Sequence, residues 1–331
     1  MKQIGSYIEL ELSQGNEYYT KMEFGNNLIS LNSGRAAIYH AVKIYNKNTV
    51  YLPYYECDTV KAFLEKKSIK IKYYRINSKF EPILKTNSSN SAIVFVNYFG
   101  IMSKKHFKFI KNFKNIIIDN SQAFFFSPIK KCINIYSCRK FFGVPDGAYV
   151  IGKNVAFGNY EKDYSSKTSS FLLMRHENGF DWNSYYKKEE NEKRINKSGI
   201  KTMSELTKSL LESVDYNTCI KKRKKNYNYA RKLFNPLNNI DISELTCDES
   251  VPMIYPLLID VDIFDELRKN GIYVCHFWEY LIKKSPKSTF EYKLSRFLIP
   301  VFIDQRYNLD DIKYQFNIIK KILTNKINNG Y

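Results

Sequence analysis

The sequence predicts an α/β fold built on a large, mostly parallel sheet. Over the first two-thirds of the chain, short apolar segments alternate with amphipathic ones, which is the pattern of strand–helix–strand units. The segment SAIVFVNYFG (91–100) is almost continuously apolar, as expected for a strand covered on both faces. In such sheets ligands bind where the parallel strands end, so polar residues that follow a predicted strand are candidate site residues.

The predicted elements of the large sheet follow one another in strand–helix order. A helix is predicted over RAAIYHAVKIY (35–45), because Ile38, Ala41, Val42 and Tyr45 recur at helical spacing. The elements after it are strands at 49–53, 69–76 and 91–100, helices at 58–67 and 103–112, and strands at 115–119, 132–136 and 148–151.

The C-terminal part is predicted to form a smaller unit. One long helix is predicted over 203–234, and its period breaks at NPLNN (235–239), which we interpret as a hinge. We therefore divide the chain into a large α/β domain, 1–235, and a small α+β domain, 236–331. Within the large domain, residues 153–202 have weak periodicity and are expected to form an irregular segment at the active site or an interface. The small domain is predicted to contain strands at 253–260 and 296–303 and helices at 263–271 and 309–323.

Composition indicates a globular protein and disfavours two classes of partner. The 331 residues are 44% hydrophobic and 16% aromatic, which is enough apolar material for a large core. The net charge is +19, but the lysines are scattered, and a solvated helix face explains the densest cluster, KKRKK (221–225), so we expect no nucleic-acid partner. No apolar stretch approaches the ~20 residues of a membrane span, and the first 15 residues lack a signal-peptide core. We expect a cytoplasmic protein without a membrane span.

The cysteines and histidines carry weak signals. The six cysteines are widely spaced, without a C-x-x-C pair or the ligand spacing of zinc, so we expect reduced thiols and no metal. His176 and His276 could line a substrate pocket, but a structural histidine with satisfied ring nitrogens is the simpler interpretation of each.

Four separated segments carry the residue types of a cofactor site. NSGRAA (32–37) is a Ser-Gly turn at a helix start, where free backbone amides and the helix dipole can hold a phosphate. YLPYYECDTV (51–60) is a strand, a proline and an aromatic-rich turn. IIIDNSQAF (116–124) ends a strand in Asp119, followed three residues later by a glutamine. SCRKFFGVPDGA (137–148) places a lysine between a strand and a glycine-bearing turn.

Together these residue types are what a pyridoxal phosphate (PLP) site requires. A lysine such as Lys140 forms a Schiff base, a carboxylate such as Asp119 keeps the pyridine nitrogen protonated, and a helix N-terminus holds the phosphate. Taken singly, each feature has an ordinary explanation. Lys140 could be a solvated turn lysine, Asp119 and Gln122 could cap a helix after a strand, and Ser33-Gly34 could be a plain helix start. The joint pattern favours the cofactor site.

The order of these segments resembles the DegT/DnrJ/EryC1/StrS family of fold-type-I aminotransferases over nearly the whole chain. SGRAAIYHAV resembles the family's Ser-Gly-Thr-Ala-Ala helix start, IIIDNSQAF its Asp-x-x-Gln-Ala motif, and YSCRKFFGVPDGAYVI its lysine segment. VNYFG, MSELTKSLL and LIPVFIDQRYNLDDI resemble three further segments. The resemblance implies the PLP-dependent transferase fold type I, with a large, mostly parallel-sheet α/β domain and a smaller C-terminal α+β domain.

The resemblance also implies a role for each candidate residue. Lys140 would be the Schiff-base lysine and proton shuttle, Asp119 would pair with the pyridine nitrogen, and Gln122 would bond the phenolic oxygen of the ring. The backbone amides of Gly34 and Arg35 would meet the phosphate. The full set of implied cofactor-binding residues is Ser33, Gly34, Arg35, Cys57, Asp119, Ser121, Gln122, Ser137 and Lys140.

The implied activity is PLP-dependent transfer of an amino group from an amino acid, expected to be glutamate, to a keto-sugar nucleotide. The expected setting is surface-polysaccharide or amino-sugar biosynthesis. The implied cofactor is pyridoxal 5'-phosphate, and the implied partners are a nucleotide-sugar substrate, the amino-acid donor and a second copy of the chain in a homodimer.

Several positions depart from the family's pattern. Ile135 stands five residues before the lysine, where the family usually has a phosphate-binding serine, and Ser137 is a candidate substitute. Cys57 stands where the family often places an aromatic residue over the ring. IKT (200–202) replaces Asn-Tyr-Arg, which in the family reaches a neighbouring subunit's cofactor. Arg35, in place of threonine, adds a positive charge beside the phosphate site.

These departures leave two alternatives to a sugar aminotransferase open. One is a catalytically divergent or silent relative that binds a nucleotide-sugar or a partner protein. The other is a PLP enzyme acting on a non-sugar acceptor. The dehydratases of the family carry histidine in place of the lysine, so Lys140 argues against that branch.

Overall fold

Seven strands form one sheet in the computed structural model, which describes residues 4–328. The strands are β1 (Leu28–Leu31), β2 (Thr49–Pro53), β3 (Lys70–Tyr74), β4 (Ala92–Val96), β5 (Ile116–Asn120), β6 (Ile133–Ser137) and β7 (Ala148–Ile151). Their order across the sheet is β1-β7-β6-β5-β4-β2-β3. The strands from β6 to β3 are all parallel, whereas β7 pairs antiparallel with both β6 and β1. The predicted mostly parallel α/β sheet is confirmed.

Helices connect these strands and make up much of the C-terminal part, where two further strands pair with each other. The helices are α1 (Gly34–Ile44), α2 (Asp58–Lys66), α3 (Ser170–Asn178), α4 (Trp182–Ser198), α5 (Glu205–Glu212), α6 (Tyr216–Phe234), α7 (Phe264–Lys269), α8 (Tyr280–Lys284), α9 (Phe290–Phe297) and α10 (Leu309–Asn328). The strands β8 (Ile254–Leu258) and β9 (Leu298–Phe302) form a separate antiparallel pair. No helix within residues 4–328 combines the length and apolarity that crossing a membrane requires.

The centre of the large sheet is apolar, and it positions α1. Every residue of β4 and of β6 is buried, as the continuous apolar pattern of 91–100 predicts for a covered strand. Helix α1 turns Ala37, Ile38, Ala41 and Val42 inward and packs against β1, β5, β6 and β7. Because burial of one such aliphatic side chain contributes about 1.5–3 kcal/mol, this packing holds the start of α1 firmly at the edge of the sheet.

The predicted single helix over 203–234 is wrong, because the chain forms two helices there. Helix α5 ends at Glu212, and the carboxylate of Asp215 caps α6 by accepting the backbone N–H of Thr218 at 3.0 Å. An aspartate that satisfies a backbone donor in this way favours a new helix start over continuation of the preceding helix. The predicted helix over 103–112 is instead a 3-10 segment, Lys104–Asn112, with an interruption at Phe107.

The expectation of an irregular segment over 153–202 is wrong for much of its length, since α3 and α4 lie within it. The buried residues of α4 are Ser184, Asn191 and Ile195, so the face that packs inward is largely polar. A helix without an apolar stripe gives no helical periodicity in the sequence, which explains the missed prediction. The carboxylate of Asp181 starts α4 by accepting the N–H of Ser184 at 2.9 Å.

The basic cluster KKRKK (221–225) is a solvated helix face with one exception. Arg223 is 1% exposed. Its guanidinium donates to the carbonyl oxygens of Pro252 and Met253, both at 3.2 Å, and to Gln305 Oε1 at 2.8 Å. This arginine therefore joins α6 to the segments before β8 and after β9. The domain boundary at 235/236 stays a prediction, and residues 1–3 and 329–331 at its outer limits lie outside the described residues.

Candidate active site

The predicted site residues lie at the edge of the sheet where the parallel strands end. Asp119 is the penultimate residue of β5, Ser137 is the last residue of β6, and Cys57 follows β2. Strand β1 runs in the same direction as β6, so its carboxyl end, followed at once by Ser33 and α1, reaches the same edge. This edge is where open α/β sheets bind ligands.

Gly34 opens a small concave space between three elements. A Cβ atom at Gly34 would lie 3.2 Å from Ser121 Oγ and 4.0 Å from the Cβ of Ser137. The two serines come from the turn after β5 and from the end of β6, and both are buried. The structure therefore brings Gly34, Ser121 and Ser137 together, and the absence of a side chain at Gly34 keeps the space open.

The start of α1 supplies backbone donors to this space. The hydroxyl of Ser33 caps the helix by accepting the N–H of Ala36 at 3.4 Å, and the carbonyl of Ser33 accepts the N–H of Ala37. The N–H groups of Gly34 and Arg35 precede the first residue that can find an intrahelical partner. They lie at the positive end of the helix dipole, a favourable place for a phosphate.

Asp119 and Gln122 are both buried and both oriented by backbone groups. Asp119 Oδ1 accepts the N–H of Ser121 at 2.8 Å, which holds the carboxylate in one orientation. Gln122 Oε1 accepts the N–H of Phe99 at 2.8 Å. Because this backbone donor requires the carbonyl end of the amide, the NH2 end of Gln122 is the end that can donate to a ligand.

Lys140 is exposed and lies on a turn that is fixed from two sides. It ends a short 3-10 turn, Cys138–Lys140, directly after β6. The side chain of Gln305 donates to the carbonyl of Phe141 at 2.8 Å, and the side chain of Asn191 donates to the carbonyl of Pro145 at 2.7 Å. The backbone around the lysine is therefore held both by the segment after β9 and by α4.

A buried polar network holds the far end of this turn. Asp146 is fully buried and accepts the N–H of Ser204 at 3.1 Å and its hydroxyl at 2.5 Å. Burial raises the pKa of Asp146, and the Ser204 hydrogen bonds act in the opposite direction. Arg194 of α4 donates to Asp163 at 2.6 Å and lies 4.0 Å from Asp146. The lysine turn is thus anchored to α4 and to the start of α5.

Glu56 is a buried carboxylate that the sequence analysis did not identify. It is 5% exposed, its Oε1 accepts the N–H of Cys57 at 2.6 Å, and its Oε2 is buried without a hydrogen-bond partner among the described residues. Burial raises the pKa of Glu56 to about 8, and the like charge of Asp119 adds to the rise. The Cys57 N–H and the positive charge of Lys140 act in the opposite direction. Asp119, Lys140 and Glu56 therefore share one electrostatic environment.

Two arginines add positive charge beside the start of α1. Burial lowers the pKa of Arg35, an effect that Cys57 and Asp58 counter, so its guanidinium lies near the start of α2. Burial lowers the pKa of Arg139 to about 10, and the repulsion of Arg35 is the second cause. Arg139 also pairs with Glu192. Arg139 is not among the site residues predicted from the sequence, although it directly precedes the candidate lysine.

A cavity of about 640 Å³ opens beside Lys140. One part of its wall is cationic and another is aromatic, while its one acidic residue, Asp304, is paired with Arg306 at 2.8 Å. Such a wall suits an anionic ligand that also carries a flat ring. The basic lining residues are Arg139, Lys140, Arg175, Lys188, Arg223 and Arg306, and the aromatic ones are Phe141, Phe142, Phe171, Phe180 and Tyr185.

The structure also shows where the residues that depart from the family's pattern and the two histidines lie. Ile135 is fully buried within β6, so its side chain belongs to the core, whereas Ser137 two residues later borders the space at Gly34. His176 lines the cavity. A ring nitrogen of His276 is hydrogen-bonded to the carbonyl of Ser295 at 3.0 Å, as expected for a structural histidine.

No protein-family model matches the sequence, and no match was found among curated proteins. Solved structures of similar fold do match. The sugar aminotransferase CalS13 from Micromonospora echinospora is 12% identical, with a TM-score of 0.60 over 93% of each chain. NtdA from Bacillus subtilis, solved with bound cofactor PMP, is 15% identical, with a TM-score of 0.60 over 88% of this chain and 73% of that one. A DegT DnrJ EryC1 StrS aminotransferase from Brucella abortus is 10% identical, with a TM-score of 0.59 over 89% and 85%.

At these identities the likeness shows the fold. The chain has the architecture of the fold-type-I aminotransferases, and the predicted fold class is confirmed. The structural neighbours belong to the type of protein that the sequence motifs resemble.

Proposed function

We propose that the protein is a PLP-dependent aminotransferase that transfers an amino group from an amino acid, with glutamate as the expected donor, to a keto-sugar nucleotide. The observation that carries the proposal is the meeting of three groups at one edge of the sheet: the space at Gly34, the oriented carboxylate of Asp119, and Lys140. Solved structures of similar fold that are described as sugar aminotransferases support the choice of a sugar acceptor.

The residues present fit the cofactor. The space that a Cβ at Gly34 would fill is bordered by the hydroxyl of Ser121, by the Cβ of Ser137 and by the free amides of a helix start, and the hydroxyl and amides can donate to a phosphate. Ser137 takes the place of the serine expected at 135. Arg35 and Arg139 add positive charge nearby, as a dianionic group requires.

Three side chains of the protein would have separate roles toward the bound cofactor. When bound, PLP supplies an electron sink for the bonds at the amino carbon. Asp119 would hold a proton on the ring nitrogen by offering a buried, oriented negative charge. Gln122 would donate from its NH2 end to the phenolic oxygen. Lys140 would bind the cofactor covalently and would move the proton between the two carbons on either side of the amino nitrogen.

The cavity beside Lys140 would hold the acceptor. Its guanidinium and ammonium groups match the diphosphate of a nucleotide-sugar, and the aromatic side chains offer faces for a base or a sugar ring. The sugar carbonyl could then lie against Lys140 with the anionic part directed toward Arg175 and Arg306. Salt should weaken nucleotide binding if these cations make the contacts.

A first experiment tests the cofactor assignment. Purified protein supplied with PLP should develop the visible absorption of lysine-bound cofactor, and Lys140→Ala should abolish it. Lys130 is an exposed lysine in the turn before β6. Lys130→Ala is therefore the matched control and should retain the band. A wild-type protein without the band, or a Lys140→Ala variant that keeps it, contradicts the proposal.

A second experiment tests the acceptor and separates the alternatives. The protein is incubated with glutamate and a panel of keto-sugar nucleotides, and aminated products are detected by mass spectrometry. A product from a sugar nucleotide supports the proposal. Cofactor binding without half-transamination by any amino acid favours a silent relative, and half-transamination followed by transfer only to non-sugar ketones favours the other alternative.

We also propose a homodimer in which the active site lies at the subunit interface. Support comes from large apolar side chains that are exposed on the α3–α4 region beside the cavity, among them Leu173, Trp182 and Tyr186. Sedimentation equilibrium of the full chain should give twice the monomer mass, and a monomer at micromolar concentration would contradict this proposal.

A further inference from the structure

Glu56 combines burial with an incomplete hydrogen-bond set. Its Oε1 is bonded to the N–H of Cys57, and its backbone carbonyl accepts the hydroxyl of Tyr280 at 2.9 Å, so the residue is fixed in place. Its Oε2 has no hydrogen-bond partner among the described residues. A buried carboxylate oxygen that lacks a partner is costly in an ionised group, whereas a protonated one can donate to a ligand that arrives later.

The surroundings of Glu56 influence whether its carboxyl group is protonated or ionised. Its charged neighbours are the like-charged Asp119 and the cation Lys140. Tyrosine hydroxyls of other elements lie within its electrostatic reach: burial is the main cause of their raised pKa values, and the charge of Glu56 contributes. These are the hydroxyls of Tyr74, Tyr98 and Tyr280. Two buried carboxyl groups that interact in this way do not both ionise readily.

We propose that Glu56 is a positioning residue of the active site that retains its proton, so that Asp119 alone of the two carboxyl groups carries the negative charge. The proposal rests on the proposed function, because it assigns Asp119 to the ring nitrogen of PLP. A second negative charge at Glu56 would compete with Asp119 for that nitrogen. It would also attract the positive charge of Lys140, the side chain that must reach the cofactor aldehyde.

The consequence is a specific pH dependence of cofactor binding. Burial and Asp119 place the pKa of Glu56 at about 8, so at pH 6 the group is protonated and at pH 9 about one molecule in eleven keeps the proton. If the loaded site requires the proton, wild-type affinity for PLP falls about tenfold more between these pH values than the affinity of a variant that cannot ionise.

Glu56→Gln is that variant, because its amide has the shape of the protonated acid and keeps the acceptor for Cys57. We expect dissociation constants for PLP within about twofold of wild type at pH 6 and about tenfold tighter than wild type at pH 9. Glu65→Gln, an exposed glutamate of α2, is the matched control and should follow wild type at both values. Equal pH dependence in Glu56→Gln and wild type overturns the proposal, as does weakened binding of the variant at pH 6.

A cofactor-free measurement separates this inference from the proposed function. Reductive methylation of the full chain at pH 9, read out by peptide mass, should label Lys140 about threefold faster in Glu56→Gln than in wild type, with Lys130 as internal reference. Unchanged labelling overturns the proposed influence of Glu56 on Lys140. If wild type binds no PLP but Lys140 labelling still responds to Glu56→Gln, the proposed function is contradicted and the interaction between Glu56 and Lys140 is supported.

Discussion

Replacement of Glu56 by glutamine should stabilise the cofactor-free protein, although it removes an ionisable residue from the candidate site. The unfolded chain releases the Glu56 proton near the usual pKa of 4.5, whereas the folded chain keeps it up to about 8. Proton retention therefore favours the folded state fully below pH 4.5. Relative to the unfolded state, that advantage is lost as the pH rises from 4.5 to about 8.

The size of the effect follows from the two pKa values. Their difference corresponds to roughly 5 kcal/mol at about 1.4 kcal/mol per pKa unit, which is an upper limit because local rearrangement relieves part of the strain. We expect Glu56→Gln to raise the free energy of unfolding by about 2–4 kcal/mol at pH 9 and by less than about 1 kcal/mol at pH 4.5.

Urea denaturation of the cofactor-free protein at pH values from 4.5 to 9, followed by tryptophan fluorescence, gives the free energy of unfolding of wild type and of Glu56→Gln as a function of pH. The two free energies should diverge as the pH rises and should differ by a constant amount above about pH 8. Glu65→Gln should remain within about 0.5 kcal/mol of wild type throughout. If Glu56→Gln raised the free energy of unfolding equally at every pH, the assignment of the raised pKa to Glu56 would be refuted. If Glu56→Gln lowered the free energy of unfolding at pH 9, the direction of the pKa shift would be refuted.

Three further substitutions test other parts of the site. Gly34→Ala should lower PLP affinity tenfold or more, measured by absorbance titration, while unfolding stability is kept, because its Cβ would lie 3.2 Å from Ser121 Oγ in the proposed phosphate space; unchanged affinity would place the phosphate elsewhere. Arg194→Met should cost about 2–4 kcal/mol in urea denaturation, because it leaves the buried carboxylate of Asp163 without its cation; a change under 0.5 kcal/mol would mean that the network is not structural. Arg223→Met should cost about 2–4 kcal/mol by the same assay, since two buried carbonyls lose their donor, and a variant as stable as wild type would show that water replaces the guanidinium.

The sequence predicts those parts of the site that are encoded locally. Asp119 lies at the end of a short apolar strand, and Gln122 and Lys140 follow such strands closely. A polar residue at a strand end can be identified without knowledge of the rest of the fold. Gly34 is likewise part of a local helix-start signal. The fold class follows from the same alternation of strands and helices.

The missed features depend on contacts between distant segments. The burial of Glu56 arises because the turn after β2 meets Asp119 of β5, and nothing in YYEC indicates that meeting beyond a carboxylate among aromatic residues. Arg223 lies in a basic run typical of a solvated face, yet it bonds carbonyls some thirty residues away in sequence. Helix α4 was missed because the face it buries is polar.

The pairing of β1 with β7 has a consequence for how the protein is made. Leu31 pairs with Ala148, and the carbonyl of Asn32 accepts the N–H of Gly147 at 2.9 Å, so the earliest strand of the sheet joins the latest one. Closing so long a loop is slow, and a chain emerging from the ribosome cannot complete the sheet before residue 151 is available. The proposed phosphate space at Gly34 lies three residues after the end of β1. The nascent protein therefore has no place for the proposed cofactor until residue 151 has been synthesised, and loading would follow closure of the sheet.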